Sequence, residues 1–221
     1  MKKNHLRTAF TLIELLVVIS IIAILAGIGL PAMQGALLNA KITAAMGKAK
    51  QIGIALRLYS NDHEGAYPGG KDDKGDAILT ANDAFRTLIP TYLDTESVFF
   101  VGGSKAGPLA DNRIGSPSEI LEAGENHWAY VSGLSGTSNS SWPVIVDHTD
   151  GSGYYTEKEN TLGGTWKGTK AVVIRTDGSG SMPKLLGTGD KHFIPRADDK
   201  TKNALSTDYM GDDVKLLEPA R

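Results

Sequence analysis

Carboxylates are the side chains whose placement in this 221-residue chain suggests chemistry. Asp72, Asp73 and Asp76 form one cluster, Asp147 and Asp150 a second, and Asp198 and Asp199 a third. Clustered loop carboxylates offer the hard oxygen ligands that calcium prefers, although none of the three follows the EF-hand spacing. A fourth acidic position stands apart. Glu14 is the only charged residue between Phe10 and Leu38. An ionised carboxylate in such an apolar setting needs a partner or a function. Other chemistries are poorly served. His63, His127, His148 and His192 show no HExxH spacing and are expected at surface or sheet positions, and Gly133-Leu134-Ser135-Gly136 runs into Thr137 where a nucleophile elbow needs glycine. With no cysteine, thiol nucleophiles, Cys-ligated zinc and iron–sulfur clusters are excluded. No catalytic set emerges, and the chain is expected not to be an enzyme.

The element that carries Glu14 is written in the first sixty residues. Lys2, Lys3 and Arg7 precede FTLIELLVVISIIAILAGIGLPAM, residues 10–33, which is about the length of a membrane-crossing helix. A soluble domain this small has little room for a helix apolar on every side. A secretory signal would have a shorter apolar run followed by a loop-like cleavage region. Here Pro31 is followed by more helical sequence, in which Leu38, Ile42, Ala45, Met46, Ala49, Ile52, Leu56 and Tyr59 recur at three- and four-residue steps. The pattern predicts one helix from near Thr11 to Tyr59 or Ser60, roughly 75 Å long and more than twice a bilayer core. The basic start places the amino terminus on the cytoplasmic side. Pro31 removes one helical amide and predicts a kink or local opening, which Gly27 and Gly29 would ease. If the chain were cut before Phe10, the new amine of a neighbouring subunit could neutralise Glu14 within an assembly.

Ala9-Phe10-Thr11-Leu12-Ile13-Glu14-Leu15 resembles the processing and methylation motif of type IV pilins and type II secretion pseudopilins. The resemblance implies cleavage between Ala9 and Phe10 by a prepilin peptidase and N-methylation of Phe10. It makes Glu14 and Pro31 assembly residues. The family usually has Gly where this chain has Ala9. A second stretch, Tyr-Ser-Asn-Asp-His-Glu-Gly-Ala-Tyr-Pro at residues 59–68, resembles the segment after the long helix in major-pseudopilin-like proteins. The implied fold is α+β and type IV pilin-like, a long amino-terminal helix packed against a small antiparallel sheet. The implied organisation is a basic leader over residues 1–9, a transmembrane and polymerisation helix over 10–33, an amphipathic periplasmic stem over 34–61 and a globular periplasmic head over 62–221. No cofactor is required. Major pseudopilins often bind calcium near the carboxyl-terminal loops of the head, which makes Asp198 and Asp199 the candidates by position.

Within the head, Ala84–Leu93 reads as a short helix limited by Pro90, and residues 96–101 as a strand. Strand signals recur over His127–Ser132, Trp142–Asp147 and Lys170–Thr176. Asp177-Gly178 is a reverse-turn dipeptide, with Ser181–Leu185 as the returning strand. Residues 186–221 look irregular apart from a short helix near Asp212–Leu217.

The expected function is structural: a subunit that assembles with other pseudopilins into a periplasmic pseudopilus of a type II secretion system, working with an inner-membrane assembly platform. The alternatives are a type IV pilin for adhesion, motility or DNA uptake, and a membrane-anchored periplasmic binding module built on Trp128, Trp142 and Trp166. The absent cysteines favour the pseudopilin, because many pilins close their terminal loop with a disulfide. A net charge of -2 argues against nucleic-acid binding. Removing Lys2, Lys3 and Arg7 leaves 20 basic against 25 acidic side chains.

Overall fold

A computed structural model describes residues 11–221, apart from 73, 105, 106 and 160, and without the side chains of 31 and 32. The leader, Ala9, Phe10 and Asp73 therefore lie outside the described residues. The chain forms two compact units, Met1–Ala40 and Lys41–Arg221. One α-helix, α1 (Leu12–Asp62), supplies the described part of the first unit and the start of the second.

In the second unit the apolar periodicity of α1 becomes burial. Ile42, Ala45, Met46, Ala49, Ile52, Leu56 and Tyr59 are all buried, joined by Ala55, while Leu38 is half-buried. Gly53 shows why this face lies so close to the sheet: a Cβ there would stand 2.9 Å from Ile174 Cγ2. The helix ends with Glu64 and Gly65 at φ 53° and 86°, the left-handed conformation that glycine supplies readily. Tyr67 and Pro68 then dock the chain. The Tyr67 hydroxyl donates to Thr176 O at 3.0 Å, and Tyr130 donates to Pro68 O at 2.8 Å.

The head contains α2 (Ala81–Arg86), β1 (Trp128–Ser132), β2 (Pro143–Asp147), β3 (Val173–Arg175), β4 (Gly180–Ser181), β5 (Leu186–Thr188), β6 (Lys191–Phe193), α3 (Thr207–Met210) and β7 (Lys215–Leu217). The main sheet has the order β4-β3-β2-β1-β7, with every neighbouring pair antiparallel. β5 and β6 pair separately. Every residue of β1 and β2 is buried, so both faces are covered and their sequences run apolar instead of alternating. Phe85 of α2 meets Tyr130 of β1 at 5.4 Å between ring centroids. The architecture is a long amino-terminal helix packed against a small antiparallel sheet, as in type IV pilin-like proteins.

Three local expectations change. α2 begins at Ala81, not Ala84, because Thr80 and Asp83 form a reciprocal capping box. Residues Ser97–Phe99 form a 3-10 turn where a strand is predicted. Val98 and Phe99 are both buried, and consecutive inward side chains are incompatible with a half-buried strand. Most of the predicted helix at 212–217 is also replaced: Lys215–Leu217 is the edge strand β7, which fills the open side of β1. The Asp177-Gly178 turn forms as expected. Gly178 has φ 81°, and Asp177 Oδ1 accepts from Ser179 N at 2.7 Å.

Candidate assembly site and the distribution of reactive groups

Around Glu14 the chain is apolar and uncovered. Leu12, Ile13, Leu15, Leu16, Val17 and Val18 are exposed, as are the large apolar side chains at positions 19–30. An 18-residue window of α1 reaches a mean hydropathy of 2.7 with none of it buried. This segment has the length and composition of a single membrane-crossing helix, and its isolated surface is unsuited to water.

Glu14 has a partner at the residue just before its own helix. Its Oε2 accepts from Thr11 N at 2.8 Å and from Thr11 Oγ1 at 2.7 Å, and Thr11 Oγ1 accepts from Glu14 N at 3.3 Å. These reciprocal bonds are a capping box. They satisfy backbone donors that a helix start leaves open, and they hold the carboxylate at the positive end of the helix dipole. The T-x-x-E spacing carried this signal, although Thr11 is not among the residues singled out from the sequence. Pro31 lies within α1, which spans Leu12–Asp62. Its ring nitrogen still leaves the carbonyl of Gly27 without an i→i−4 donor.

Asp198 and Asp199 lie in the surface turn after Arg196. Asp198 Oδ1 is 3.2 Å from Arg196 Nε, while Asp199 Oδ1 accepts from Thr201 N and Oγ1 and Oδ2 stands 3.8 Å from Lys202 Nζ. Arg196 also meets Asp208 at 3.0 Å and stacks on Tyr209. Both carboxylates therefore already face positive side chains, buried Arg196 and exposed Lys202. Asp72 turns its Oδ1 to Lys74 N and Asp76 N, and Asp150 uses its own to hold Ser152 and Tyr154. Asp147 does not join Asp150. It is buried at the end of β2, where Oδ1 accepts from Val172 N at 2.6 Å and Oδ2 has no partner.

Of the four histidines among the described residues, His127, His148 and His192 are buried within or next to strands, and His63 is half-buried. His148 Nδ1 accepts from Gly163 N at 3.2 Å, so Nε2 carries the proton and faces Ser104 Oγ at 2.9 Å. Burial, with help from the charges of His127 and Arg221, pushes its pKa down to about 3. His127 Nδ1 accepts from Val101 N at 3.2 Å, and His192 faces Glu157 at 3.1 Å. These rings fasten loops to the sheet. The tryptophans likewise do not make an exposed platform: Trp128 and Trp166 are buried, and Trp142 is half-buried against Tyr209. One acidic group was not legible in the sequence at all. Glu96, Asp111 and Glu125, from three separate segments, converge in the head.

Comparison with known proteins points to the same segment. The family described as the prokaryotic N-terminal methylation motif matches residues 5–30. A fimbrial protein of Neisseria meningitidis serogroup B is 39% identical over 72 residues, which is 33% of this chain and 42% of that relative. A fimbrial protein of serogroup A is 38% identical over 77 residues, 35% of this chain and 45% of the relative. The type II secretion system core protein G of Pseudomonas aeruginosa is 42% identical over 62 residues, covering 28% and 43% respectively. The chain thus spans less than half the length of the curated relatives it matches. No solved structure matches it significantly. In its methylation motif, these relatives and its helix-on-sheet architecture the chain is similar to type IV pilins and pseudopilins.

Proposed function

We propose that this protein is a structural subunit, not an enzyme, that assembles with other pseudopilins into the periplasmic pseudopilus of a type II secretion system. The observation that carries this reading is the uncovered apolar half of α1. More than a dozen large apolar side chains between Leu12 and Met33 are exposed in the single chain. Burying them removes apolar area from water at about 25 cal/mol per Å². A bilayer accepts this surface before assembly, and the equivalent helices of neighbouring subunits accept it afterwards. Glu14 then supplies the addressing charge. A prepilin peptidase cuts between Ala9 and Phe10 and methylates Phe10, and a neighbour's new amine displaces Thr11 from the Glu14 carboxylate. The leader 1–9 stays cytoplasmic, 10–33 spans the inner membrane, and the stem 34–61 and head 62–221 lie in the periplasm. The assembly platform of the inner membrane is the expected further partner. No nucleic-acid partner is expected.

Intact-mass and amino-terminal analysis of the membrane-extracted protein tests the processing step. The expected product begins at Phe10 and carries one added methyl group. A chain still beginning at Met1 in cells that contain the peptidase overturns it. The fimbrial relatives support a second reading, a type IV pilin. Filaments displayed outside the cell at native expression favour that reading, whereas loss of secreted proteins on deletion favours the pseudopilus.

A further inference from the structure

Glu96 precedes the 3-10 turn, Asp111 lies in the long loop between that turn and β1, and Glu125 ends the turn leading into β1. Each offers a carboxylate oxygen, and these oxygens lie within 4.8 Å of one another. Glu96 is 0% exposed and Glu125 5%, while Asp111 reaches solvent.

Hydrogen bonds satisfy most of this group. Glu125 Oε1 accepts from Asp111 N at 3.0 Å, and its Oε2 accepts from Glu122 N at 2.7 Å. Glu96 Oε1 accepts from Leu121 N at 2.5 Å. Asp111 Oδ1 accepts from Arg113 N at 3.0 Å, and Oδ2 stands 3.1 Å from Arg113 Nε. The exception is Glu96 Oε2, which is buried with no partner. An unbonded carboxylate oxygen in the interior is costly, and two more carboxylates beside it increase the cost. Burial raises the pKa of Glu96, and the charges of Glu125 and Asp111 raise it further.

Either a proton or a cation can relieve this crowding, and the charge count separates them. Among the described residues, the three carboxylates have one ion-pair partner, the guanidinium of Arg113, which leaves two negative charges. One proton cancels half of that, and one divalent cation cancels all of it. Calcium–oxygen bonds of about 2.4 Å put ligand oxygens no more than about 4.8 Å apart, a bound the three residues already meet. Hard, all-oxygen ligands suit calcium, and the exposed Asp111 leaves a way in for the ion and its waters.

We propose that Glu96, Asp111 and Glu125 form a calcium site that pins the 102–118 loop to the start of β1. The site is separate from Asp198 and Asp199 and does not depend on the assembly reading. It adds an anchor to a Gly- and Pro-rich loop in which Asn112 Oδ1 already accepts from Thr95 Oγ1 and Glu96 N, both at 2.9 Å.

The full chain, extracted in mild detergent and freed of metal with a chelator, is titrated with calcium chloride by calorimetry and by equilibrium dialysis. The expected result is one saturable calcium per chain, with slower proteolysis within 102–118 when calcium is present and a weaker response to magnesium chloride. Glu96→Gln should lose saturable binding, whereas an Asp198→Asn/Asp199→Asn variant should keep it. If Glu96→Gln does not fold, the exposed Asp111→Asn decides, with an expected affinity loss of at least about tenfold. Absence of saturable calcium binding to the wild-type chain overturns the proposal, and so does unchanged binding in folded Glu96→Gln or in Asp111→Asn. Either result assigns Glu96 a shared proton instead.

Discussion

Replacing Asp147 by Asn should make the change in stability from about pH 5 to about pH 8 more favourable by roughly 3–4 kcal/mol. Asp147 is 1% exposed, and burial foremost raises its pKa from 3.8 to about 8. A raised acid favours the folded state fully below its ordinary pKa, and that contribution is lost as pH rises through the folded value. Between about pH 5 and about pH 8 the unfolded chain has released this proton and the folded chain still holds it. With about 1.36 kcal/mol per pKa unit, the loss from Asp147 over that range is roughly 3–4 kcal/mol. His148 acts in the opposite sense. Its pKa is depressed from 6.5 to about 3, so its contribution is present above 6.5 and is lost on acidification. From about pH 5 to about pH 8 it returns roughly 2 kcal/mol. On these two groups alone, the wild type loses roughly 1–2 kcal/mol over the range and Asp147→Asn gains roughly 2 kcal/mol. Asn keeps the oxygen that accepts from Val172 N. Its amide takes the place of an oxygen that already lacks a partner, which shifts the baseline and leaves the slope alone. Glu96 and Glu218 are also raised by burial and are present in both proteins, and because the charge of Glu218 bears on Asp147, the slope difference reads Asp147 together with that coupling. Urea unfolding of the compact unit, residues 41–221, followed by tryptophan fluorescence across the pH series, measures it. Parallel pH profiles for the two proteins would refute the argument, because they would mean that the Asp147 carboxylate reaches water when folded.

Three further outcomes follow from the same geometry. Gly53→Ala brings a Cβ to 2.9 Å from Ile174 Cγ2, so it should destabilise the 41–221 unit by about 1–3 kcal/mol in urea unfolding, as over-packing does elsewhere. Thr80→Ala removes one half of the α2 capping box and should cost about 1 kcal/mol, read as a lower thermal midpoint. Glu14→Ala should abolish subunit cross-linking in membranes while leaving the thermal midpoint of the 41–221 unit unchanged. A normal yield of cross-linked oligomers from that variant would remove Glu14 from the assembly reading.

How far the fold was legible depended on how locally each signal was encoded. The stem of α1 repeats its apolar positions over several turns, so a missed or extra residue does not hide the period, and almost the whole predicted stripe is buried. β1, β2 and β3 were legible as dense apolar runs, and the β3–β4 turn as Asp177-Gly178. Short segments were ambiguous. Val98-Phe99 is apolar enough for a strand, and only its packing beside Phe85, at 5.1 Å between rings, makes it a 3-10 turn. Lys215–Leu217 is too short to show any period, and its strand state is set by the open edge of β1.

The sequence alone determined the apolar segment with its single carboxylate, the processing motif around it and the long helix that carries both. Each is written in neighbouring residues, and hydrophobicity and helix period act along the chain. Tertiary structure alone decided which carboxylates matter in the head. Glu96, Asp111 and Glu125 meet only after three segments close over one another, whereas Asp147 and Asp150, close in sequence, are parted by the end of a strand. Burial and charge act through space, and for these groups only the folded chain sets the distances.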